Sequence, residues 1–497
     1  MTATDDRQQA RTSHAVQASR TATVSLLDAL REGSHRGERR ARDPLSLLSR
    51  RFDDLCTSAV DAWEIAAGLE ADGMSDADCT AYGYSDVFGL AAALFARVPR
   101  RGAHLVTATS RRPITVVRSI LRGLIYALPG LAAVAVLNRT DAPSIVMLLT
   151  ALALGWGWSQ AWSFLGHRSL GWRGDRVARS VLRTGLVAGV LVVPAVLAVT
   201  SLLVGASLPV VADGTAVAVY MVAAGVLLVL GDDVALLAAL VPGSVAGLLY
   251  LLGAPPGGLV GAIVLAALSL LLVLGLAFVA TRDRQPDSRG ARHARPRVVL
   301  SRLDLLSAAP HFAYGVVCAV IVGLGPMTMA ALHHRPAGAG WYVALPVVLS
   351  MGAAELQLER LMARSHDLLQ ATTGPAEFAE GTRRAFGSAV SGYVAVVIVG
   401  SILALAVARG GSRLDTVVLV AGYAALASCF FVALVLVAIG RVIAATTCLT
   451  IGLVAYLCLS LLGSSAPDAA YLVSFSVLFL AMVVVALTRL RSPLVHL

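Results

Sequence analysis

The chain has no lysine and only one asparagine, Asn138, so all 40 of its Lys and Arg positions are arginine. Charged residues fill just 14% of its 497 positions and aromatic residues 6%, whereas 57% are hydrophobic. So little charge, with a mean hydropathy of +0.77, excludes a water-soluble domain for most of the chain and predicts a polytopic membrane protein. The absence of Lys and the near absence of Asn, beside abundant Ala, Arg, Gly and Val, fit a GC-rich bacterial genome and suggest an actinobacterial source. The six cysteines form no CxxC pair, and four of them fall in apolar stretches where a thiol behaves as a small hydrophobe. Neither a disulfide, a metal site nor a cofactor is predicted. The first apolar segment begins only near Ile114, so no cleavable signal peptide is expected.

The net charge of +10 is placed unevenly. Residues 1–112 carry fifteen Arg against fifteen Asp plus Glu and are neutral as a whole, so the excess lies among the apolar segments. A nucleic-acid ligand, which needs a basic face, is not predicted.

A helix needs roughly 20 mostly apolar residues to cross a bilayer. Twelve stretches qualify, at about 114–137, 144–165, 181–204, 214–230, 234–252, 258–280, 304–330, 341–362, 386–408, 414–438, 442–463 and 469–489. Alternate loops separate by charge: "HRSLGWRGDRVARS" holds four Arg and "RDRQPDSRGARHARPRVVLSR" seven, while "GASLPVVADG" and "GAPPGG" hold none. Cytoplasmic loops carry the positive excess, so both termini are expected in the cytoplasm of a bacterial cell with the chain threaded through the inner membrane.

The basic loop 281–302 divides the spans six and six. The expected fold is all-α, a polytopic membrane protein with twelve transmembrane helices as two parallel six-helix halves, 113–280 and 303–497, joined by that linker. The order of features repeats between halves. "ALPGLAAVAVL" in span one answers "VGLGPMTMAAL" in span seven, and "WSQAWSFLGHR" ending span two answers "AAELQLERLMAR" ending span eight. Ahead of the membrane, residues 1–43 are expected to be a disordered cytoplasmic tail. Residues 44–112 are expected to be a cytoplasmic helical module, because Leu45, Leu48, Phe52, Leu55 and Ala59 recur at helical spacing. Within it, Ser75 with Asp78 reads as a helix N-cap and Ser85 as the start of the next helix, whose Val87, Ala91 and Leu94 share a face. It shows no pattern of catalytic residues, and no enzyme activity is predicted.

Ionisable residues inside spans are costly and mark cavities, partners or interfaces. Glu355 and Glu359 lie four apart on one helix face. Glu359 abuts Arg360 at the span's end, but Glu355 is about 6 Å deeper by helical rise, making it the candidate for an ion pair or proton-linked site. Arg118 and Arg122, also four apart, open span one as snorkelling anchors or a rim for a phosphate-bearing headgroup. Arg183 precedes "TGLVAGV" in span three, and His311 in span seven could titrate near neutrality. Asp232 and Asp233 read as a solvated turn with a helix N-cap, and the tryptophans 156, 158 and 162 as an interfacial belt.

Two six-helix halves, with "LIYALPGLAAVAVL" in span one and "SMGAAELQLERLMARSHDLLQ" at span eight, resemble the multidrug/oligosaccharidyl-lipid/polysaccharide export superfamily over about 114–490, most of all Pel-type exopolysaccharide exporters. The resemblance implies an alternating-access bundle that moves a lipid-linked glycan or polysaccharide outward, driven by an ion or the membrane potential. On that reading Glu355 pairs with a basic group or proton, and Arg118, Arg122 and Arg183 receive anionic headgroups. The competing expectation is a non-transporting scaffold that recruits cytoplasmic or septal protein partners, concerned with division or polar growth, through residues 1–112.

Overall fold

A computed structural model of the chain describes residues 45–97, 119–129, 142–282, 300–333 and 342–490, single positions and short loops within those ranges excepted. The expected tail 1–43, most of the 281–302 linker and Arg118 lie outside the described residues. The chain divides into two units, Met1–Arg112 and Pro113–Leu497.

The first unit contains α1 (Asp53–Ser58), α2 (Ala62–Ala71), α3 (Asp76–Cys79), a 3-10 turn (Thr80–Tyr82) and α4 (Val87–Arg97). Its apolar positions converge on a core of Leu48, Cys56, Ile65, Ala66, Leu69, Cys79, Val87, Leu90, Ala91 and Leu94. Short helices survive here because their ends are capped. Asp61 accepts the Glu64 N–H at 2.9 Å, and the Asp78 carboxylate accepts both the N–H and the hydroxyl of Ser75. For α4 the cap is Asp86 rather than Ser85: Asp86 takes the Gly89 N–H at 2.7 Å, while Ser85 only donates its hydroxyl to Asp86. Asp76 adds a bond from the Val87 N–H at 3.0 Å, tying α3 to the start of α4.

Those caps make the unit acid-sensitive. The Ser75 hydroxyl and N–H hold the Asp78 carboxyl below its ordinary range, and the Gly89 N–H followed by the Ser85 hydroxyl does the same for Asp86. A carboxyl lowered in the folded state contributes stability above its unfolded value of about 4 and loses that contribution as pH falls through the folded value. Cys79 is fully buried. Its labelling by 4,4′-dithiodipyridine, read by peptide mass spectrometry, should be slow at pH 6 and rise below about pH 4. Asp78→Asn with Asp86→Asn should raise the pH 6 rate and flatten the dependence.

In the second unit ten of the described helices are long and apolar enough to cross a membrane. The helices of the first half are α5 (Ala142–Trp172), α6 (Asp175–Val204), α7 (Leu208–Leu230), α8 (Asp233–Leu251) and α9 (Gly258–Ala280), preceded by the first span, of which 119–129 is described. Those of the second half are α10 (Arg302–His333), α11 (Leu345–Ala371), α12 (Pro375–Val407), α13 (Arg413–Ala438), α14 (Val442–Leu461) and α15 (Pro467–Leu490). The fold is therefore an all-α polytopic membrane bundle in two halves, with no strand among the described residues. Leu191, Leu202, Leu203, Val260, Val264 and Leu271 stand exposed on α6 and α9, where a bilayer rather than water would cover them.

Helices at the Arg-rich end run further than apolarity alone indicates. Residues 363–371 and 375–385, which lie between the apolar stretches 341–362 and 386–408, complete α11 and α12, leaving a link of three residues. Apolarity measures bilayer thickness, whereas a helix continues for as long as capping and propensity allow.

Each half has its own core. Ile125, Leu182, Leu186, Val222, Leu227, Leu236 and Val273 fill the first, and Phe386, Tyr423, Phe431, Leu449, Tyr471 and Phe475 are prominent in the second. Small residues set the spacing, as membrane helices without a hydrophobic drive to associate require. Trp158 and Trp162 of α5 lie over Gly185 and Gly189 of α6, and the Trp158 indole N–H donates to the Gly185 carbonyl at 2.9 Å. These two tryptophans are thus packing elements inside the first half rather than an interfacial belt. The glycine pair leaves a trough that a flat indole fills.

Candidate functional site

The two halves meet along two seams that mirror each other. In one, the first span of the first half crosses α11, the second helix of the other half. In its counterpart, α5 crosses α10, the first helix of the second half. Glycine permits both crossings. A Cβ on Gly352 would overlap the Ser119 carbonyl oxygen and stand 3.2 Å from the Gly123 Cα, and one on Gly315 would stand 2.8 Å from both the Gly157 Cα and the Trp156 carbonyl oxygen. Backbones this close cannot carry side chains between them.

The Gly123–Gly352 crossing brings a polar cluster together. Arg122 donates Nη1 to Glu355 Oε2 at 2.8 Å and Nε to Asp233 Oδ2 at 3.1 Å, so one guanidinium bridges carboxylates from α11 and α8. Tyr126, one turn after Arg122 on the same face, donates its hydroxyl to Glu355 Oε1 at 2.9 Å. Both Glu355 oxygens are therefore held from the opposite half. The Arg122 and Glu355 side chains are 18% and 19% exposed and that of Asp233 6%, so water screens the cluster weakly. With both carboxylates ionised the trio carries one net negative charge.

The second seam is less polar and partly aromatic. Arg168 of α5 donates to the Ser307 hydroxyl at 3.0 Å and lies 3.9 Å from Asp304 Oδ1, both on α10. Asp304 also accepts the N–H and hydroxyl of Ser301 at the start of that helix. His311 stacks on Phe164, ring centroids 3.9 Å apart and planes 16° from parallel, and Trp156 meets Phe430 at 6.5 Å. In both seams the arginine comes from the first half and the acid it reaches across the boundary from the second.

Of the sequence candidates, the structure brings Arg122 and Glu355 into one cluster and puts His311 in the companion seam. Arg183 instead occupies the exposed face of α6, in line with Val187 and Leu191, which are 41% and 66% exposed. Gln357 points within its own half, over Gly392 of α12. Asp233 departs from its reading as a solvated turn: it is 5% exposed and ion-paired. The sequence signature of a helix N-terminus is the same whether its acid faces water or an arginine from another helix, so no local pattern distinguishes the two cases. Tyr126 was legible only as Arg122 plus four. No cluster of three or more His, Cys, Asp or Glu suited to a metal occurs among the described residues.

No protein-family model matches the sequence. No curated protein matches it either. Solved structures do resemble the fold. A MATE crystal structure in complex with MaL6 superposes with a TM-score of 0.50 at 13% identity, covering 76% of this chain and 95% of that one. A Vibrio cholerae MATE transporter, VcmN in the bent form, matches with a TM-score of 0.47 at 15% identity over 77% and 97%. An inward-facing multidrug resistance MATE family transporter of the MOP superfamily gives 0.46 at 15% over 76% and 97%. The first of these shares the fold of this chain, two helical halves included.

Proposed function

We propose that this chain is an alternating-access membrane transporter that carries a cell-envelope glycan, or its lipid-linked precursor, outward across the bacterial inner membrane. The observation that carries the reading is the bridge from Arg122 to Glu355 at a glycine crossing between the two halves. Alternating access requires the halves to separate at one end while they close at the other, and thus a contact between them that can be exchanged. An arginine shared by two carboxylates is such a contact, because releasing Glu355 leaves Arg122 still paired with Asp233. Glu355 then trades Arg122 and Tyr126 for a proton as the Arg-rich, cytoplasmic end opens. Arg168 with Asp304 and Ser307, beside His311, is the companion latch. Arg118, four residues before Arg122 in the sequence, and Arg183 on the outer face of α6 are the residues assigned to the anionic headgroup.

The glycan substrate is supported by the likeness of "SMGAAELQLERLMARSHDLLQ" to the Glu-bearing segment of Pel-type exporters. The purified chain in liposomes should move fluorescent lipid-linked oligosaccharide faster than protein-free vesicles, and Glu355→Gln or Arg122→Gln should cut that rate by a factor of ten or more. Wild-type flux unaltered by either substitution would remove the latch. Movement of cationic dyes but not of glycan would keep the transporter and discard the substrate.

A further inference from the structure

A second feature, in the N-terminal unit, owes nothing to the transport reading. Trp63 of α2 is 70% exposed and Phe88 of α4 is 49% exposed, and their rings touch, with centroids 5.1 Å apart and planes tilted by 56°. The core of the unit does not use them: Ile65, Ala66 and Leu69 turn inward on α2, and Val87, Leu90, Ala91 and Leu94 on α4. The faces carrying the two rings continue into exposed Ala67 and Ala92, one turn further along each helix. The result is a low apolar strip with an aromatic pair at one end. Two large rings at the surface of a unit that folds around other residues are the residue types that dominate interface energetics.

Charge selects the occupant. Residues 45–97 hold nine Asp and Glu against three Arg, with no Lys or His. Asp61, Glu64 and Glu70 stand exposed on and before α2, and Asp86 lies partly exposed just before Phe88. An anionic bilayer surface attracts basic segments and repels the acidic stretch 45–97 that carries the rings, although residues 1–112 together are neutral, so the pair is poorly suited to be an inner-leaflet anchor. A second copy of the same acidic strip is repelled likewise. The chemistry that fits is apolar side chains for the rings with cationic groups for the rim, as on a basic amphipathic helix.

We propose that the Trp63–Phe88 face is a docking surface for a basic amphipathic segment of another protein. The full chain in zwitterionic nanodiscs should bind a labelled 18-residue amphipathic peptide, with Arg on its polar face and Leu on its apolar face, saturably in fluorescence anisotropy. Trp63→Ser with Phe88→Ser should weaken binding at least tenfold, and so should Glu64→Arg with Glu70→Arg, which leaves both rings in place and guards against a folding defect in the first pair. The same peptide with Glu in place of Arg should not bind. The proposal is overturned if the wild type fails to bind the basic peptide or if the serine pair binds it equally well. It is also overturned if Trp63 and Phe88 instead govern binding to anionic vesicles, or self-association in sedimentation.

Discussion

Arg122→Ala should destabilise the membrane bundle by about 3–5 kcal/mol, the cost of breaking a buried ion pair by removing one partner. The guanidinium is the cation that Glu355 and Asp233 share, and Asp233 is almost wholly enclosed. Taking it away leaves two carboxylates in a low-dielectric seam without the cation between them, while Tyr126 still donates to Glu355. Glu355→Gln should cost less, about 1–3 kcal/mol, because the ion pair is replaced by a hydrogen bond from the guanidinium to a neutral amide, which offers one acceptor oxygen in place of two, while Arg122 keeps Asp233. Removing Arg122 and Glu355 together should cost less than the sum of the two single losses, with a coupling of about 0.5–3 kcal/mol. Thermal unfolding in detergent across the four proteins measures it. A coupling near zero would mean that the halves are held by the helix crossings alone.

The crossings supply the second large effect. Gly352→Ala should destabilise by about 1–3 kcal/mol or more, as overpacking does, since the new methyl meets the Ser119 carbonyl, a backbone atom that no side-chain rotation can move aside. Gly315→Ala should behave alike against Gly157 and Trp156. Gly123→Ala faces a gentler 3.4 Å approach to Gly352, and Gly275 has nothing within 4 Å, so alanine should be better tolerated at Gly123 and best at Gly275. The order of the four unfolding midpoints is the test. Equal midpoints for the 352 and 275 substitutions would show that the first span and α11 do not cross this closely. If the latch works as proposed, Gly352→Ala should also loosen it, because the separation that relieves the overlap with Ser119 adds directly to the 2.8 Å contact of Arg122 with Glu355.

What could be read from the residues and what could not divides along the range of the forces involved. Eleven of the twelve apolar stretches correspond to described helices, and the first coincides with helical residues around 121–126. A span is a local property: about 20 residues must satisfy their own backbone bonds in a medium that offers none. The Ser75 cap with Asp78 was legible for the same reason, being complete within four residues. Glu355 stood out because a carboxylate within an apolar run has a cost that the sequence alone displays.

The partners of that carboxylate did not stand out. Arg122 reaches Asp233 across 111 residues and Glu355 across 233, and no periodicity connects positions so far apart. Asp233 looks like any acid at the start of a helix, Tyr126 like any aromatic in a span, and Trp158 and Trp162 like a belt. Composition and spacing by themselves determined that this chain is a membrane bundle of two six-helix halves with an acidic group in span eight. Only the tertiary structure decided that the first span and α11 cross on glycine and that α11 and α8 share Arg122, because that depends on which backbones can approach, and closeness of approach is a property of pairs of helices rather than of either one.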